Sequence, residues 1–197
     1  MPRKRRRFSR PLGEKRYRKL FVVSVEGTKT EPMYFAILQN ASSVIHVNCL
    51  KGSRNSAPGQ VLKRMQRYLR QQGLRGSDEA WLVVDRDQWT DTQLAELYAW
   101  SQRAGNHGFA LRNPKFEYWL LLHFEEGVGV GSSRECTERL RRHLPDYDKA
   151  INARQITQER IGDAIRRAKG RDTPPCPDWP RTTGSTTVYR LVQRIVG

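Results

Sequence analysis

Short apolar runs alternate with amphipathic stretches through the first 124 residues, and this alternation limits the fold more than any other feature of the chain. Residues 20–25 (LFVVSV), 43–50, 80–84 and 109–111 are too short for helices and rich in β-branched or aromatic side chains, so they are expected to be strands. Helical spacing follows each. Pro32 suits a first helical turn that Thr30 could cap, with Tyr34, Phe35 and Leu38 inward. Val61, Leu62, Met65 and Leu69 form one stripe, a third helix runs from Asp91 or Thr92 to Trp100, and a fourth spans 115–124. The order β-α-β-α-β-α-β-α predicts an α/β fold, with helices flanking a mainly parallel central sheet. In such sheets function gathers at the carboxyl ends of the strands.

Beyond glycines at 127–131, helices are expected near 133–143, 157–169 and 186–196, with a proline-rich loop at 170–181. The predicted organisation is a flexible basic arm (1–19), an α/β core (20–125) and a helical C-terminal extension packed on it (126–197). The arm carries Arg3, Lys4, Arg5, Arg6, Arg7, Arg10, Lys15, Arg16, Arg18 and Lys19 against Glu14 alone. A segment so charged cannot bury itself. The net charge of +16 points to a polyanionic partner, most often nucleic acid; ribosome association and a membrane surface are the alternatives. Cys49, Cys136 and Cys176 form no C-x-x-C pair, which argues against a zinc knuckle or a disulfide framework and fits a reducing cytoplasm. No apolar run approaches a membrane span, and no hydrophobic region follows the basic start as in a signal peptide.

Two of the expected strands end in acid: Glu26 after the first, and Asp85-Arg86-Asp87 after the third. If both strands are central and parallel, Glu26, Asp85 and Asp87 converge. Converging carboxylates repel unless cations neutralise them. Mg²⁺, with Mn²⁺ as a substitute, takes oxygen ligands and keeps waters that phosphates can replace. Gly27 lets the backbone turn behind Glu26 and leaves room for a phosphate. The bland alternative is that these acids are helix caps and surface charges.

Four stretches make the pattern specific. The segment VEGTKTEPMYF (25–35), the aspartate stretch VVDRD (83–87), the block NPKFEYWLLLHF (113–124) and the ending TTVYRLV (186–192) resemble RloB-like proteins in order along nearly the whole chain. That resemblance implies a Toprim-like fold, in which a glutamate after the first strand and a D-x-D after the third bind Mg²⁺. Those roles fall on Glu26, Asp85 and Asp87. It also implies a place in bacterial anti-phage systems, restriction-associated or abortive, with an ATPase encoded alongside.

Other candidates carry two meanings each. Glu31 could join the metal shell or favour a helix N-terminus. Glu117, on an apolar helix, should be paired or functional. Lys115 could steady a scissile phosphate or pair with Glu117, and Asn113 could cap a helix or touch substrate. His123 is expected to be a packed histidine. Arg54, Lys63, Arg64 and Arg67, with Arg5, Arg6 and Arg7 of the arm, are candidate nucleic-acid contacts, against a merely solvated basic face. The leading expectation is a Mg²⁺-dependent nuclease cleaving DNA or RNA, with catalytic Glu26, Asp85, Asp87 and Lys115. Its rivals are a non-catalytic nucleic-acid or ATPase adaptor and a primase-like polymerase, and homo-oligomerisation stays open.

Overall fold

The computed structural model describes residues 19–39, 45–52, 59–86, 89–148 and 150–197. The central sheet has the order β2-β1-β3-β4-β5, built from β1 (Lys19–Val25), β2 (Ile45–Leu50), β3 (Glu79–Asp85), β4 (His107–Asn113) and β5 (Ser185–Thr186). The first four strands are parallel, and β5 is antiparallel to β4. The α/β fold with a mainly parallel sheet is therefore as expected. The helices are α1 (Thr30–Leu38), α2 (Gln60–Gln72), α3 (Asp91–Ser101), α4 (Phe116–Leu121), α5 (Ser133–His143), α6 (Gln158–Arg171) and α7 (Val188–Val196).

Both faces of the sheet are covered, which is why its inner strands read as continuous apolar runs. Phe21, Val23, Val25, Trp81 and Val83 pack under α1 and α4–α7. Val22, Ala80, Leu82, Val84 and Leu111 pack under α2 and α3. Residues of the C-terminal third, such as Leu140, Ile161 and Val192, share the first of these cores with β1.

Local chemistry accounts for most element ends and for the departures. Thr90 caps α3 in a reciprocal capping box with Gln93, one residue before the expected start. Ser132 and Thr157 cap α5 and α6. Thr30 does not cap α1; it is the first helical residue, preceded by Lys29 with no side-chain cap. The fourth helix is shorter than expected, because α4 ends at Leu121 in a turn. Thr186, expected to begin a helix, instead pairs in β5 with Arg112, and the Thr187 hydroxyl accepts the Leu111 N–H at 2.9 Å.

The topology fixes one special place. From β1 the chain moves outward to β2, then crosses back over β1 to β3. The connections thus diverge between β1 and β3, and in open parallel sheets ligands enter at the carboxyl side of such a switch point.

Candidate functional site

Glu26 and Asp85 stand at this switch point. Val25 pairs with Val83 in the parallel register, so the two acids leave adjoining strand ends. The Glu26 carboxylate accepts the backbone N–H of Asp85 at 3.0 Å and the indole N–H of Trp89. One strand further, Asp85 lies directly opposite Arg112. Arg112 Nε is 2.6 Å from Asp85 Oδ1, a contact without hydrogen-bond alignment, since the same Nε–H donates to the Val84 carbonyl at 3.3 Å. Arg112 Nη1 lies 3.6 Å from Glu31 Oε1. The Asp85 side chain keeps 19% exposure while that of Arg112 has none, so solvent reaches the site from the aspartate side.

Glu31 lies in the first turn of α1 and turns back to accept the Gly27 N–H at 3.0 Å. A methyl group at Gly27 would fall 1.9 Å from Glu31 Oε2. The space that the sequence suggests for a phosphate beside Gly27 is thus filled by the Glu31 carboxylate. Of the two roles foreseen for Glu31, the structure shows the helix N-terminal acid, and it brings that acid next to Arg112.

The electrostatics follow from burial. Desolvation raises the Asp85 pKa well above its ordinary value; Glu26, Glu31 and Glu117 add to the rise and Arg112 opposes it. Desolvation raises Glu26 as well, opposed by Arg112, the Asp85 N–H and Trp89. Burial alone would lower the pKa of Arg112, but Asp85, Glu31, Glu26 and Glu117 outweigh it and raise it. A site that raises the pKa of two carboxylates favours whatever neutralises them, a proton or a cation.

The remaining expected residues divide into groups. Glu117 is buried beside this cluster and accepts the Tyr147 hydroxyl at 3.0 Å. Lys115 is directed to α5, where its ammonium donates to Thr137 Oγ1 at 2.6 Å. Asn113 donates to the Arg181 carbonyl at 3.1 Å, and its own carbonyl accepts the Gly184 N–H at 2.8 Å, so it ties β4 to the loop before β5. Lys63 and Arg67 are exposed on α2. Arg64, half-buried, reaches over β1 to the Val25 carbonyl, next to Glu26. His123 is a packed histidine, as expected: Nδ1–H donates to the Trp119 carbonyl at 3.0 Å and Nε2 accepts the Tyr34 hydroxyl at 3.2 Å. Asp87, Arg5, Arg6, Arg7 and Arg54 lie outside the described residues.

Arg112 and Trp89 were not foreseen. A lone arginine inside the apolar run FALRN, one position before a strand end, was the available signal for the first. For Trp89 the signal was its place four residues after Asp85. Among the described residues no group of three or more His, Cys, Asp and Glu is placed to hold a metal ion.

The fold and site together define an α/β protein with an acidic centre at the carboxyl edge of a parallel sheet. Residues 21–195 match the family described as RloB-like protein, and the chain belongs to that family. Searches of curated proteins and of solved structures find no match. Among the described residues, no helix is long and apolar enough to cross a membrane.

Proposed function

We propose that this chain is a Mg²⁺-dependent nuclease of Toprim type, serving a bacterial anti-phage system of the abortive or restriction-associated kind. The observation that supports this most is the meeting of Glu26 and Asp85 at the switch point, with the Asp85 N–H bonded to Glu26 at 3.0 Å. Their donors are oxygens alone, both carboxylates are desolvated, and the Asp85 side chain keeps an exposed part beside Glu26. That chemistry fits a hard divalent ion. Glu26 and Asp85 would hold it, with Asp87 supplying the other aspartate of the D-x-D pair. A bound divalent ion supplies Lewis-acid polarisation of a phosphoryl oxygen.

The protein groups do the rest. Where Glu26 does not complete the shell of the ion, it is instead the group to take the proton from an attacking water. Arg64 at the edge of the site, with exposed Lys63 and Arg67, draws in the phosphate backbone of DNA or RNA. Lys115 could reach a phosphate only by leaving Thr137. The charge of the arm serves capture, and an ATPase partner in the cytoplasm would restrain a toxic activity.

A second reading has its own support. Both Glu26 oxygens already accept protein donors and Asp85 already touches Arg112, so the acids can be satisfied inside a non-catalytic adaptor. The two separate on one assay: purified full-length protein with labelled DNA and RNA in Mg²⁺ or Mn²⁺. The nuclease reading expects metal-dependent cleavage that Glu26→Gln and Asp85→Asn abolish. No cleavage by the wild type with its ATPase present would leave the adaptor, and cleavage that survives both substitutions would remove Glu26 and Asp85 from the chemistry.

A further inference from the structure

Arg112 is the fixed centre of the acidic site. Its side chain is completely buried, 2.6 Å from Asp85 and 3.6 Å from Glu31. The Phe116 ring covers the guanidinium at 4.8 Å. Neither Nη1 nor Nη2 has an aligned hydrogen bond. Leaving two buried donor nitrogens so poorly served is costly, so good hydrogen bonding is not what keeps an arginine here. Charge is: Asp85, Glu31, Glu26 and Glu117 all act on it.

We propose that Arg112 is the resident cation of this site, standing between Asp85 and Glu31 in the place of a second divalent ion shared by those two carboxylates, so that the site takes one divalent ion. The inference rests on the metal reading of Glu26 and Asp85 given above. Two-metal sites hold their ions about 3.5–4 Å apart around shared carboxylates. Here Asp85 Oδ1 is already in contact with a permanent cation that cannot deprotonate or swing into water. A second ion on that side would meet a like charge where water does not screen it. Glu26 and the exposed part of Asp85 remain the open side for one ion. Arg112 is then a positioning residue: it fixes the Asp85 carboxylate and touches no substrate.

Mn²⁺ is the probe, counted on the full-length protein by equilibrium dialysis and inspected by electron paramagnetic resonance. The wild type should bind one Mn²⁺ with an uncoupled signal, lost in Asp85→Asn. Arg112→Lys, which keeps the charge, should still bind one. Arg112→Met, which removes it, should bind two, with the signature of a spin-coupled pair. Two ions in the wild type, or one in a folded Arg112→Met protein, would overturn the inference and leave the metal reading standing. No bound ion in the wild type would overturn both. Should Arg112→Met not fold, the wild-type count decides.

Discussion

Replacing Gly27 by alanine tests how the site is assembled. The new methyl would fall 1.9 Å from Glu31 Oε2 and 2.6 Å from its Cδ. The obstacle is the end of a flexible side chain, so Glu31 must swing out while the backbone stays. The swing breaks the Gly27 N–H bond to Glu31 and loosens the Arg112 contact. A hydrogen bond to a charged group contributes about 1.5–3 kcal/mol. Gly27 does not have a positive φ, so alanine returns about 0.4–1 kcal/mol by restricting the unfolded chain. The net loss is then about 1–2 kcal/mol, and for a chain of this size the melting temperature should fall by roughly 2–8 °C. The decisive comparison is a double-mutant cycle read by thermal unfolding. With Glu31→Ala already present there is no carboxylate to displace, and Gly27→Ala should be neutral or slightly stabilising. An equal cost in both backgrounds would refute the claim that Gly27 exists to admit Glu31.

Other consequences are as direct. Burial pushes the His123 pKa down to about 4 from 6.5, so the fold holds it neutral. Its contribution is complete above pH 6.5 and is lost as pH falls toward 4, about 3 kcal/mol in all; His123→Gln should flatten the stability profile in that window, and an unchanged profile would contradict the assignment. Gly108→Ala would set a methyl 2.4 Å from the Trp81 indole, itself anchored to Glu79, so denaturant unfolding should show a loss of about 1–3 kcal/mol. The Lys63→Glu, Arg67→Glu double variant should weaken DNA or RNA binding and flatten its salt dependence while the melting temperature stays put; unaltered binding would remove α2 from the interface.

Much of this was legible in the residues. The continuous apolar runs of β1 and β3 specify strands buried on both faces, and acids at their ends specify a charged edge. The helices expected near 133–143 and 157–169 are α5 and α6. What escaped depends on pairing between distant segments. Thr186 becomes a strand only because β4 offers it an edge, an interaction 74 residues away in sequence from Arg112. The bond from Lys115 to Thr137 arises only because α5 folds back beside α4. Arg112 looks like an ordinary arginine until the β3–β4 register sets it against Asp85.

The most direct trial of the central claim is an anomalous difference map from crystals of the full-length protein soaked in Mn²⁺. The account predicts a peak in contact with the Glu26 and Asp85 carboxylates at the carboxyl edge of the sheet. A map with no peak there, from crystals that bind Mn²⁺ elsewhere, would contradict it.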